Sequence, residues 1–311
     1  MEQLLKDAQK IKSLEIQGAS NVAISAIGFL SNYAKRLKCE NIKECFDKLY
    51  KARDILIDTR PTEPAMKNGL KFIMNKLEQE KESIIAEYIS DIIEKYRNQY
   101  YELLQDSKKR IAVIGARRIP VTESEFTVMT HCHSSLVTAI LLEAKRQHKN
   151  FRVVNTETQP RLQGRKTAKK LLDAGINVIH IIDSAMRWAV RHFGVNLIII
   201  GADSITSEGT IINKIGSRLL ALVAHEEHVP FYVASPLLKY NPETNLGILE
   251  TIEMRDPKEV WEAPPDELEV INPAFETVSR RYIDGLITEA GIFASSHVPN
   301  YFTKWYPEMV E

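Results

Sequence analysis

The feature that most constrains this chain is a change of texture near Arg110. Up to about residue 108, apolar residues recur at three- and four-residue spacing in segments such as NVAISAIGFLSNYAKRL and ESIIAEYISDIIEKYRNQYYELL, the pattern of one amphipathic helix after another. From Arg110 onward, short β-branched runs alternate with helical stretches: RIAVIGA, FTVMTH, FRVVNTE, NVIHIID, LIIIGAD and PFYVAS. Continuous apolar strands separated by helices mean a parallel sheet covered on both faces. The expected fold is therefore α/β, with a helical N-terminal domain over residues 1–108 followed by a Rossmann-like parallel-sheet domain over 109–311. The length, 311 residues, is enough for two cores.

In such a sheet, ligands bind outside the carboxyl ends of the strands. The residues that follow the runs are His131-Cys132-His133-Ser134, Glu157-Thr158-Gln159, Asp183-Ser184, Gly201-Ala202-Asp203 and Ser235-Pro236. Reactive groups thus gather at the one edge where a site belongs. No Walker-type loop or G-x-G-x-x-G stands at these ends, which argues against an ordinary nucleotide or dinucleotide enzyme. The 41 basic and 41 acidic residues balance, so overall charge calls for neither a nucleic-acid nor a membrane partner. Three cysteines are too few for a disulfide framework, which fits a reducing cytoplasm, and Cys39 and Cys45 read as ordinary buried residues. No apolar run approaches the roughly 20 residues of a membrane span.

Three stretches carry chemistry. In MTHCHSS a strand ends and a helix begins, so Cys132 is expected near a helix N-terminus, where partial positive charge favours thiolate. A buried structural cysteine is the plain alternative. Zinc fits poorly, because three consecutive residues cannot all aim at one ion and no second ligand pair is present. In LIIIGADSITSEGTIINKIGS, Asp203 follows an apolar strand, where partial desolvation raises a carboxyl towards neutrality and suits a general acid; capping the next turn is its plain use. Asn213 and Lys214 are expected to open a helix and form an anion site, or Lys214 is a solvated lysine. In the helical half, Gln17, Gly18, Ala19 and Ser20 form a turn that either offers amides to a phosphate or simply caps a helix through Ser20, and Arg60 stands ahead of a Pro-marked helix start.

Taken together, IQGASNVA, TRPTEPAM, THCHSS, GADSIT, NKIGS and NPAFETVSRRYIDGLITEAGIF resemble one superfamily, the sugar-phosphate isomerases related to the regulatory subunits of translation initiation factor 2B. Methylthioribose-1-phosphate isomerases look similar around the cysteine and aspartate but usually carry Gly-Ala-Pro-Ala-Ile-Gly where this chain has Gly18-Ala19-Ser20-Asn21-Val22-Ala23. Factor 2B subunits generally lack the Cys and Asp pair that this chain holds in Cys132 and Asp203. The archaeal ribose-1,5-bisphosphate isomerases match both motifs and have a lysine corresponding to Lys239. They typically carry Arg-Gly-Ala-Gly followed by another basic residue where this chain has Gln17-Gly18-Ala19-Ser20-Asn21, and a lysine where it has Ser135.

The resemblance implies an isomerase that takes α-D-ribose 1,5-bisphosphate to D-ribulose 1,5-bisphosphate in nucleoside salvage. Asp203 would be its acid and Cys132 its base. Two phosphates and the sugar hydroxyls would be gripped by Gln17, Gly18, Ala19, Ser20, Arg60, His133, Ser134, Ser135, Asn213, Lys214 and Lys239. It implies no metal and no cofactor, AMP as an activator, and a homo-oligomer, a hexamer built from dimers, in the cytoplasm. The rival implication is a factor 2B-like subunit that binds a nucleotide or sugar phosphate without turnover.

Overall fold

The computed structural model describes residues 1–13, 15, 16, 18–60, 63–247 and 251–310. It divides into two compact units, Met1–Asp106 with Phe302–Glu311, and Ser107–Tyr301. The sequence reading ended the first domain at 108 and kept the chain terminus in the second. Instead the terminus returns to the helices, where Asn75 Nδ2 donates to the Glu308 carbonyl at 2.8 Å.

The helical unit is built from α1 (Glu2–Lys12), α2 (Ala19–Ala34), α3 (Ile42–Ile57), α4 (Pro64–Gln79) and the first part of α5 (Ile89–Ala116). Each start has a local cause. Asn41 caps α3 by accepting from the Glu44 amide at 3.0 Å, and Pro64 opens α4, where its missing N–H costs nothing. Val22, Ala26, Ile27 and Leu30 form the fully buried stripe of α2. Cys39 and Cys45 are joined in a disulfide with Cα atoms 5.5 Å apart, which corrects their reading as separate buried residues. The bridge ties Cys39, in the connection after α2, to Cys45 in the first turn of α3.

In the second unit come β1 (Phe126–Thr130), α6 (Ser135–Arg146), β2 (Phe151–Thr156), α7 (Gln163–Asp173), β3 (Asn177–Ile181), α8 (Met186–His192) and β4 (Leu197–Gly201). Then follow β5 (Ser204–Ile205), β6 (Ile211–Lys214), α9 (Ser217–Glu226), β7 (Phe231–Ala234), β8 (Phe275–Val278), β9 (Gly285–Thr288), β10 (Gly291–Phe293) and α10 (Val298–Trp305). The main sheet runs β10-β9-β7-β4-β1-β2-β3, parallel except for β10, and β5-β6-β8 form a small antiparallel sheet. RIAVIGA is not a strand but the end of α5: its Ala112 and Ala116 are buried four residues apart, the helical spacing, and a short apolar run does not by itself distinguish the two.

Strand order reverses at β1. The chain moves outward through β2 and β3, then crosses back to place β4 on the other side of β1, with Val128 opposite Leu197 and Met129 opposite Ile198. Such a reversal opens a crevice beyond the carboxyl ends of the two strands, and Cys132 and Asp203 are the residues just past them.

Candidate active site

Cys132 lies in the left-handed region, at φ 67°, a conformation that costs a non-glycine residue on the order of 1 kcal/mol and must be held by its surroundings. Its N–H donates to Thr158 Oγ1 at 3.0 Å, and its carbonyl accepts from Thr167 Oγ1 at 2.9 Å. Thr158 is held in turn by Asp183, whose two carboxylate oxygens accept from the Thr158 and Gln159 amides at 2.8 and 2.7 Å. The turn beyond β1 is thus clamped by the turns beyond β2 and β3.

The helix start beside Cys132 does not make a thiolate. Burial pushes the thiol up to about 12, against the pull of the Lys214 charge and the His133 amide; Asp203 and Asp183 push in the same direction as burial. The dipole that the sequence reading relied on is met elsewhere, since Ser134 caps α6 and its Oγ accepts from the Val137 amide at 3.3 Å. Gly201 leaves room for that cap: a Cβ there would lie 2.8 Å from Ser134 Oγ. Ser135 is exposed on the first turn.

His133 packs against α7. Thr167 already gives its hydroxyl proton to the Cys132 carbonyl, so the 2.9 Å contact between Thr167 Oγ1 and His133 Nδ1 has the ring as donor. His133 is therefore the Nδ1–H tautomer, and burial, helped by Lys166 and Lys170, lowers it to about 4.

Asp203 is half-buried, and its amide donates to the Ile212 carbonyl at 2.8 Å, which ties the end of β4 to β6. Lys239 Nζ donates to the carbonyl of Ala202, bringing the lysine beside the same segment. Asn213 and Lys214 do not begin a helix; they end β6, paired with Glu276 and Phe275 of β8. The Lys214 ammonium stands 4.7 Å from the centre of the Phe275 ring, and burial lowers its pKa while Cys132 and Asp203 raise it. Asn213 Nδ2 donates to Ser217 Oγ at 2.8 Å, and Ser217 Oγ donates to the Lys214 carbonyl at 2.6 Å. The anion site expected at the next helix is filled by the protein: Glu276 Oε1 accepts from the Gly216 and Arg218 amides at 2.5 and 3.0 Å.

The sheet unit thus brings Cys132, His133, Ser134, Asp203, Asn213, Lys214 and Lys239 to one edge. Gly18, Ala19, Ser20 and Arg60 belong to the helical unit, and Gln17 lies outside the described residues. There Gly18, at φ 87°, is the residue that precedes α2, so Ser20 is inside the helix rather than its cap. Arg60 is buried, with Nη2 3.0 Å from Glu63 Oε1. Sequence reasoning put Thr158 and Asp183 at the sheet edge without a role, and it missed Thr167, which with them holds Cys132, and Glu276, which holds the turn after Lys214. It also missed Gln163 at the start of α7, whose buried Oε1 has no hydrogen-bond partner among the described residues. The run NTETQ after β2 was the available signal for Thr158, since hydroxyls two apart at a strand end are well placed to hold a neighbouring turn.

Residues 15–295 match the model of the initiation factor 2 subunit family. A ribose 1,5-bisphosphate isomerase of Thermococcus kodakarensis is 40% identical over 306 residues, covering 94% of this chain and 91% of its own. A methylthioribose-1-phosphate isomerase of Thermosipho melanesiensis is 30% identical, with 92% and 85% covered. Among solved structures, a translation initiation factor eIF-2B of Pyrococcus horikoshii OT3 superposes with a TM-score of 0.78 at 28% identity, over 94% of this chain and 98% of that one. With nearly the whole length matched by the family model, and the cysteine and aspartate motifs meeting at one sheet edge, the chain belongs to the initiation factor 2 subunit family.

Proposed function

We propose that this protein is a sugar-phosphate isomerase that converts α-D-ribose 1,5-bisphosphate into D-ribulose 1,5-bisphosphate. The observation that carries the reading is the meeting of Cys132 and Asp203 beyond two neighbouring parallel strands, with the Lys214 ammonium close enough to both for each to alter its pKa. The 40% identity to a relative of that name supports the choice of substrate.

In this mechanism, protonated Asp203 donates to the ring oxygen as the bond from C1 to that oxygen opens. Cys132 thiolate takes the C2 proton, and the electrons released form a C1–C2 double bond. The C2 hydroxyl then loses its proton while C1 gains one, which leaves the ketone at C2. Because burial holds the ligand-free thiol protonated, that proton must leave before C2 is attacked, and the Lys214 charge is the local feature that favours its departure. On this reading His133, Ser134, Ser135, Asn213, Lys214 and Lys239, all of the sheet unit, contact the sugar and a phosphate. The proposal extends to a homo-oligomer in the cytoplasm that works in nucleoside salvage with AMP as activator. Among the described residues no helix is long and apolar enough to cross a membrane.

The test is turnover of α-D-ribose 1,5-bisphosphate by the purified protein, beside Cys132→Ser and Asp203→Asn, with methylthioribose 1-phosphate as a second substrate. Bisphosphate turnover lost in both variants supports the reading, and turnover of methylthioribose 1-phosphate alone moves the chain to that branch. A folded protein that binds a sugar phosphate or nucleotide and turns over neither sugar is a regulatory subunit, the reading favoured by the match to the eIF-2B structure.

A further inference from the structure

His131 is a buried titratable residue at this edge that the mechanism does not use. It is 1% exposed, and both ring nitrogens are engaged. Nε2 lies 2.7 Å from the carbonyl oxygen of Ile215, which can only accept, so Nε2 carries a proton. Nδ1 lies 2.6 Å from Thr156 Oγ1. A second ring proton would make a buried cation, and burial lowers the pKa of this ring despite the opposing pull of the Ile215 carbonyl and Asp183; Lys214 acts with burial. Nδ1 therefore accepts, and Thr156 donates.

The direction of every other bond follows. Thr156 has spent its one proton on the ring, so the 3.3 Å contact between the two threonine hydroxyls has Thr158 as donor. Thr158 Oγ1 in turn accepts from the Cys132 amide. A single file of donors runs from Cys132 N–H through Thr158, Thr156 and His131 to the carbonyl of Ile215. It joins the residue after His131 to the residue after Lys214, across two loops that are otherwise distant in sequence. Gly216 closes the contact from the far side: it sits at φ 99°, and a Cβ there would lie 2.8 Å from His131 Cε1 and Nε2.

We propose that His131 is a positioning residue of the isomerase site, one that touches no substrate but locks the Lys214 turn to the Cys132 turn through its Nε2–H. The proposal rests on the reading of the site as an isomerase; the hydrogen-bonded lock itself does not depend on the substrate. Its measure is the split between kcat and KM, because a residue that aligns two catalytic side chains affects the reacting geometry more than the grip on phosphates.

The experiment compares the full-length protein with His131→Gln, His131→Asn and Thr156→Val. Gln can place an amide nitrogen where Nε2 stands, whereas Asn is too short to do so. Two readouts are taken: kcat and KM with ribose 1,5-bisphosphate, and the pH profile of Cys132 alkylation by iodoacetamide without reductant. Cys132 is the free cysteine of the three, so the label reports one site. The expected result is that His131→Asn lowers kcat about 10-fold or more with KM within about threefold, that Thr156→Val does so by a few-fold, and that His131→Gln recovers most of the loss. The alkylation profile is expected to shift in His131→Asn and Thr156→Val and to return in His131→Gln. Wild-type kcat and an unchanged profile in folded variants would overturn the proposal, as would His131→Gln failing as badly as His131→Asn. If His131→Asn does not fold, Thr156→Val, which leaves the ring in place, decides. If the wild type turns over no sugar phosphate, the isomerase reading fails, and the alkylation profiles alone decide whether His131 positions Cys132.

Discussion

Two helix starts lie at the same sheet edge and are finished in different ways. At α6 the neutral Ser134 hydroxyl accepts from the Val137 amide; at α9 the Glu276 carboxylate accepts from the Gly216 and Arg218 amides, and it comes from a strand residue 60 positions beyond Gly216. At each start the protein itself supplies an acceptor for part of the exposed amide row. A helix N-terminus at a sheet edge is thus an opportunity that the rest of the chain can partly use up, and the pull on the thiol towards ionisation comes first from the Lys214 side chain, with the His133 amide beside it.

The comparison can be broken or sharpened by measurement. The largest expected effect is in the chemistry: Cys132→Ser should lower bisphosphate turnover by about 10³-fold, while urea unfolding moves little. Near-normal turnover in that variant would mean that neither helix start surrounds a catalytic thiol. Next comes Gly216→Ala, which puts a Cβ in the left-handed region and against His131; a cost of about 2–4 kcal/mol is expected in urea unfolding. Glu276→Ala should cost about 1–2 kcal/mol, because two amides lose a charged acceptor. Ser134→Ala should cost about 1 kcal/mol, the usual value of a hydroxyl cap. A larger loss at Ser134 than at Glu276 would reverse the comparison.

The last test concerns pH. A thiol raised from an ordinary value near 9 to about 12 favours the folded state while it is protonated. That stability is fully present below the unfolded value and is lost as pH rises from there towards the folded one. Wild type should therefore lose more stability than Cys132→Ser over that alkaline window, and Cys132 alkylation should keep accelerating throughout it. A plateau in the alkylation rate near neutral pH would show that the thiol is already ionised.

The edge itself was legible in the sequence. Strand runs ending in His131-Cys132-His133 and Gly201-Ala202-Asp203 needed only the rule that parallel sheets bind ligands beyond their carboxyl ends. Less could be read where a partner came from far along the chain. Asn213 and Lys214 resemble a helix start until β8 pairs with them, and Glu276 has no local mark that sends it to α9. RIAVIGA is apolar enough for either a strand or a helix, and continuity with α5 settles it. The ionisation of Cys132 was misjudged for a similar reason. Sequence gives the neighbouring helix, but the desolvation that outweighs it depends on what packs around the sulfur.

The single file of hydrogen bonds through His131 has one more consequence. Its first donor is a backbone amide, which does not give up its proton, and its last acceptor is a backbone carbonyl, which has none to give. Both ends are fixed, so the threonine hydroxyls between them cannot reverse. A proton wire works by reversal, every link handing on one hydrogen and receiving another. This file cannot conduct. It is a strut rather than a wire, and the proton that the Cys132 thiol gains or loses takes no part in it.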